Sequence, residues 1–96
     1  MRQDRSRLFV RSEQALSADV GEDVVALHVA RGHCYGMEKV AAAVWNLLAE
    51  PTDLDRICEQ LVQRYEIDEG TCRAEVGALL AQFESEGLVE AASDRP

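Results

Sequence analysis

The side chains in this sequence best suited to nucleophilic or metal chemistry are its two histidines, His28 and His33, and its three cysteines, Cys34, Cys58 and Cys72. A Cys34 thiolate with either histidine as its base would make an activated nucleophile, and thiols with imidazoles could hold zinc. The spacing supports neither. No CxxC occurs, the three cysteines have no metal-type spacing, and no carboxylate stands at an informative distance from either histidine. A cysteine on a strand beside an aromatic residue is a packing residue. GxSxG, HExxH, Walker and dinucleotide-binding fingerprints are also missing. The expectation is therefore reduced thiols, no catalytic constellation, no metal and no cofactor.

Charge narrows the partners. The 96 residues carry a net charge of −8, and a phosphate backbone is repelled by such a field unless basic residues gather locally. They gather only at Arg2, Arg5, Arg7 and Arg11. The apolar fraction of 47% fits a folded domain, and no apolar run reaches the roughly 18 residues of a membrane span. MRQDRSRLFV is basic and polar and has no apolar core of a signal peptide behind it. A cytoplasmic chain that binds neither nucleic acid nor membrane is expected.

The elements that must position any site follow from the periodicity. Residues 1–13 read as a tail that is ordered at most in part, with Leu8-Phe9-Val10 its one apolar piece. Leu16, Ala18 and Val20 alternate with polar neighbours, Gly21-Glu22-Asp23 reads as a turn, and Val24 to Val29 is β-branched and apolar, a hairpin signature. Arg31-Gly32 marks a second turn, before a short strand His33-Cys34-Tyr35. The period then becomes helical at Val40, Val44, Leu47 and Leu48, with Trp45 beside them, and stops before Pro51. Thr52 and Asp55 resemble a capping box opening a second helix with Leu54, Ile57, Leu61, Val62 and Tyr65 on one face. Asp68 is the expected N-cap of a third helix, whose stripe is Cys72, Val76, Leu79, Leu80 and Phe83, and Gly87 is its stop. Leu88-Val89 returns to the core and 91–96 reads as a disordered tail. The prediction is one α+β domain over 14–90, a three-stranded antiparallel sheet followed by three helices in a winged helix-turn-helix outline.

That outline suggests DNA binding, with the third helix as reader. The helix sets Arg73 alone against Glu69, Glu75, Glu84 and Glu86, a balance that pushes phosphates away. The short strand His33-Cys34-Tyr35 ends the sheet and offers unpaired N–H and C=O groups, which can be tolerated as they are or can recruit an extended partner.

The stretch from Gly32 to Trp45, GHCYGMEKVAAAVW, resembles the G-x-Y-Y-x-L-N-x-x-G-x-x-I-W segment of the PqqD-like family. Leu47-Leu48, the helix ending in Arg64-Tyr65-Glu66-Ile67-Asp68 and the closing Glu86-Gly87-Leu88-Val89 match its pattern in order and spacing. Cys34 stands where the family commonly has an aromatic residue, and Glu38 where it commonly has Asn, a better N-cap. The resemblance implies a non-catalytic recognition element that binds the leader of a ribosomally made precursor peptide. In that family the leader adds as a strand to the third β-strand and lies against the third helix, a β-augmentation. Carried onto this chain, the strand is His33, Cys34, Tyr35 and Gly36. The helix positions come from Cys72, Arg73, Val76, Leu79 and Leu80, of which Leu79 or Leu80 is expected to touch the peptide, with Val76 and Phe83 mainly structural. The segment looks closest to small lasso-peptide pathway proteins, whose partners are the precursor leader, a leader peptidase and a cyclase. The alternatives are a peptide chaperone for a radical enzyme of pyrroloquinoline quinone or another such pathway, and a winged-helix regulator, which the charge disfavours.

Overall fold

The alternating segment after Gln14 folds as an antiparallel meander, in a computed structural model that describes residues 7–92. The elements in chain order are β1 (Leu8–Arg11), β2 (Ala15–Val20), β3 (Asp23–His28), β4 (His33–Met37), α1 (Lys39–Leu47), α2 (Leu54–Arg64), α3 (Glu69–Ser85) and β5 (Val89–Ala92). Strands β2, β3 and β4 form a three-stranded sheet in that order. The three-stranded sheet followed by three helices is the expected α+β arrangement.

Turn chemistry sets the register. Val20 pairs with Asp23 across the two-residue loop Gly21-Glu22, and of those two only Gly21 has a positive φ, at 65°. A first-position glycine is the pattern of a type II′ hairpin turn. Between β3 and β4, Gly32 at φ 72° turns the chain and its N–H donates to the His28 carbonyl at 2.8 Å. The pleat then sorts the residues. Val24, Ala26 and His28 of β3 are buried on one face, opposite Met37, Tyr35 and His33 of β4. The reverse face carries the exposed Leu16, Val20 and Val25.

The helices cover the buried face. Trp45, Val44 and Leu48 of α1 and its exit, Ile57 and Leu61 of α2, and Val76, Leu80 and Phe83 of α3 form one core with β3. Asp68 caps α3 by accepting from the Thr71 N–H at 3.0 Å, as its position suggested. At the other end Gly87 has φ 79°, the Leu88 N–H donates to the Phe83 carbonyl at 2.9 Å, and the Gly87 N–H donates to Glu84 at 3.0 Å. These are the two bonds of a Schellman motif.

Three features depart from the sequence reading. The cap of α2 is Asp53, which accepts from the Arg56 N–H at 2.8 Å, and not Thr52. Thr52 is taken by a backbone exchange with Phe9, with N···O distances of 2.7 and 3.0 Å. That exchange belongs to the second departure: β1 pairs with β5, Leu8 with Ala92 through Arg11 with Val89, so residues on both sides of the 14–90 span are in strand. The pairing is between chain ends, which no local period announces. The remaining portions of the two expected tails, 1–6 and 93–96, lie outside the described residues. Third, Lys39 opens α1 at φ 49°, behind a Glu38 that supplies no side-chain cap, in keeping with its being a poorer N-cap than Asn.

Left-handed backbone at a residue with a Cβ costs about 1–2 kcal/mol. Lys39→Gly is therefore expected to raise unfolding free energy by about 1 kcal/mol. Gly87→Ala should lower it by at least about 1–2 kcal/mol, since an added Cβ would also stand 2.8 Å from His28 Nε2. Urea denaturation of both variants measures the opposite signs.

Candidate functional site

Strand β4 has β3 on one side, and on the other its main-chain edge is unpaired among the described residues. Helix α3 runs beside that edge. Cys34, Tyr35, Gly36 and Met37 of β4, Ala41 of α1, Leu79, Gln82, Phe83 and Glu86 of α3, and Leu88 enclose a cleft of about 380 Å³. Its floor is fixed by the core: Met37 and Leu88 are buried, and Phe83 meets Trp45 edge-on at 5.7 Å between ring centroids. The rim is polar. The Tyr35 hydroxyl donates to Glu86 Oε1 at 2.7 Å and lies 3.3 Å from His33 Nδ1. Its bond to Glu86 holds the phenol protonated above its usual range.

The residues expected at a site on β4 and α3 separate by helical geometry. Cys34, Tyr35, Gly36 and Leu79 line the cleft, and His33 stands at its end through Tyr35. Cys72 and Val76 do not reach it: each is 1% exposed, at the centre of the stripe that α3 buries. Leu80 is turned to the opposite flank, where it lines a small apolar pocket with Phe9, Leu54 and Gly77. Arg73 faces α2, its Nη2 2.7 Å from Asp55 Oδ1 and its Nε 3.4 Å from Glu69 Oε2. The one cation of α3 is thus held by carboxylates.

Met37, Ala41, Gln82, Phe83, Glu86 and Leu88 line the cleft without having been anticipated there. A signal for part of the set exists in the sequence. Positions 79, 82, 83 and 86 follow the i, i+3, i+4, i+7 progression of one helix flank, so choosing Leu79 already selects Phe83 and Glu86. Phe83 serves the core and the cleft at once, a double role that a periodic pattern cannot display.

The cysteines divide by environment. Cys58 and Cys72 are buried between α2 and α3, and Cys34 is exposed on β4. Burial, with a side-chain hydrogen bond to Cys72, pushes the Cys58 thiol up from 9.0 to about 12. No group of three or more potential metal-ligating side chains occurs among the described residues. Nor is any described helix long and apolar enough to cross a membrane.

Comparison with known proteins adds three findings. The family described as coenzyme PQQ synthesis protein D (PqqD) matches residues 23–89. No curated protein matches the sequence. Two solved structures are similar. TbiB1 in complex with the TbiA(beta) leader peptide is 26% identical over 88% of this chain and 99% of that one, at a TM-score of 0.81. Lasso peptide synthetase B1 complexed with the leader peptide is 17% identical over 85% and 96% of the two chains, at a TM-score of 0.76, a likeness of fold.

The thiol environments give a test. At pH 8 a disulfide reagent should titrate one thiol of the folded chain promptly, Cys34, and all three after unfolding. The raised Cys58 value has a stability consequence as well. Its thiol stays protonated in the folded chain while the unfolded chain ionises, so unfolding free energy should fall as pH rises from about 9 towards 12. Cys58→Ala should flatten that part of the profile.

Proposed function

The chain belongs to the PqqD family, and from that premise we propose that it is a non-catalytic recognition element that binds the leader of a ribosomally synthesised precursor peptide. The carrying observation is the unpaired edge of β4 facing a cleft walled by α3, in a fold shared with two proteins whose structures hold a leader peptide.

The physics of such a site is β-augmentation. An extended peptide beside β4 pairs with the outward N–H and C=O groups of His33–Met37 and makes the sheet four-stranded. Main-chain bonds supply affinity for any extended chain, and side-chain contacts supply choice. Every second peptide residue then points to the α3 side, where Met37, Leu79 and Phe83 offer apolar contact. Leu79 is the ligand-facing leucine and Leu80 belongs to the core. Nothing in this arrangement requires a bond to be made or broken by the domain. It holds the leader while a peptidase and a cyclase of a lasso-peptide pathway act on the rest of the precursor, and it does so in the cytoplasm.

A second reading, delivery of a precursor to a radical enzyme in pyrroloquinoline quinone or a related pathway, is favoured by the family's own description. It uses the same edge and cleft. The likeness in fold to the two leader-bound proteins, at TM-scores of 0.81 and 0.76, favours the lasso-peptide reading.

Calorimetry with the cognate precursor leader tests the proposal. A dissociation constant of about 1 μM or tighter is expected, equivalent to about −8 kcal/mol. Leu79→Asp should weaken binding at least about tenfold by placing an unpaired charge against an apolar partner, with the melting temperature little changed. Arg73→Ala, on the α2 flank, should leave the affinity as it is. A leader that gives no heat at several hundred micromolar protein, or that ignores Leu79→Asp, would falsify the assignment.

A further inference from the structure

The cleft changes character along its length, and the change is matched to the repeat of an extended chain. On β4 the side chains facing α3 are His33, Tyr35 and Met37, across from His28, Ala26 and Val24 of β3. Any strand laid beside β4 shows its alternate residues to that same face, at a spacing of about 6.6 Å. Met37 is buried and the cleft around it is apolar, with Ala41, Leu79 and Phe83. Two residues back along β4, Tyr35 reaches across to Glu86 at 2.7 Å. From Leu79 to Glu86 the helix rises about 10 Å, so the two ends of the wall are distinct stations.

Glu86 is the charged member of this wall. One oxygen takes the Tyr35 hydroxyl, which fixes where the carboxylate sits. A glutamine could also accept that bond, though more weakly than a carboxylate, so the fold needs an acceptor there and not a full charge. Among the described residues Glu86 forms no ion pair. The neighbouring cation, Arg31, donates to the Ser85 carbonyl at 3.3 Å instead. At a helix C-terminus a carboxylate is also on the unfavourable side of the dipole. A negative charge is therefore held by a tyrosine at the mouth of a peptide-sized cleft, without a cation of its own.

Resting on the leader-binding reading, we infer that the cleft selects an extended peptide carrying a Lys or Arg two residues from an apolar side chain, the apolar one entering between Met37, Leu79 and Phe83 and the basic one meeting Glu86. The net charge of −8 favours approach of such a peptide as well. Tyr35 is a positioning residue here, because it aims the carboxylate without itself reading the charge.

The experiment is a selection from a displayed library of random 15-residue peptides on the full chain, repeated with Glu86→Gln and Glu86→Lys. Glutamine keeps an acceptor for Tyr35, and lysine suits a helix C-terminus, so both variants should remain folded, which a melting curve of each checks beside the selection. Peptides recovered on the wild type should carry an apolar residue with Lys or Arg two positions away. A recovered peptide should bind Glu86→Gln about fivefold more weakly, the effect of a partly exposed ion pair. Glu86→Lys should exchange the basic preference for Asp or Glu while the apolar position persists. Peptides with the apolar residue and no charge preference on any of the three proteins would overturn the Glu86 assignment and leave leader binding intact. Recovery of no peptide would overturn both.

Discussion

The indole of Trp45 is the point at which the separate layers of this domain are tied. It is fully buried, and a side chain of this size removes roughly 150–250 Å² from water, worth about 5 kcal/mol before ordering costs. Each of its contacts reaches a different element. Nε1 donates to Ser17 Oγ of β2 at 3.0 Å, the ring meets Phe83 of α3 edge-on, and the Arg11 guanidinium of β1 lies 4.7 Å from the ring centroid. Arg11 also donates to the Trp45 carbonyl at 2.9 and 3.1 Å, which satisfies a backbone acceptor near the end of α1. Burial pulls that guanidinium below its ordinary value, with Asp19 opposing the shift. One residue thereby ties β1 and β2 to α3, the helix that walls the cleft.

Helix α3 has to satisfy two demands with one surface. Cys72, Val76, Leu80 and Phe83 are buried, and this stripe fixes the rotation of the helix about its axis. Once the stripe is fixed, the two flanks are fixed. Leu79, Gln82 and Glu86 go towards β4, and Arg73 goes towards Asp55 of α2. The Schellman turn at Gly87 stops the helix where Glu86 faces Tyr35, and Leu88 then turns back into the core. Cleft and core are consequently not independent. A change that rotated α3 by one residue would move Glu86 and Leu79 off the cleft together.

The helices, the hairpin and both caps of α3 were legible because each has a local cause: a period, a turn glycine, an N-cap aspartate. The β1–β5 pairing was not, because it joins Leu8 to Ala92 and rests on contacts between opposite ends of the described chain. The misplacement of the α2 cap has the same origin. Thr52 has the right chemistry for a cap, but its backbone is engaged by Phe9 of β1, and the cap falls to the next residue. For the site, strand β4 could be read directly from the sequence. On α3 the sequence gives the stripe but leaves its two shoulders equivalent, and only the position of β4 distinguishes them. Arg73 and Leu80 were drawn from one side and Leu79 from the other for that reason. Glu86 looked like part of a charge balance arguing against DNA, and its bond to Tyr35, 51 residues away, needed the fold.

The proposed function, carried by a main-chain edge, would also explain why motif reading finds so little here. Catalysis needs particular side chains in particular places, whereas strand addition needs only a short strand whose outward N–H and C=O groups remain free. Such an edge is a hazard, since it will accept any extended chain, including another copy. The fold limits the hazard by geometry. Strand β4 is short, and α3 stands beside it, so a peptide must fit between strand and helix and not merely lie on the edge. Copies of a chain with net charge −8 also repel one another. On the proposed function, selectivity comes from the cleft wall, whose apolar end asks for a matching side chain and whose carboxylate end disfavours acidic ones. The exposed edge and the guarded cleft are two aspects of one arrangement, open to an extended peptide of suitable side chains and closed to most others.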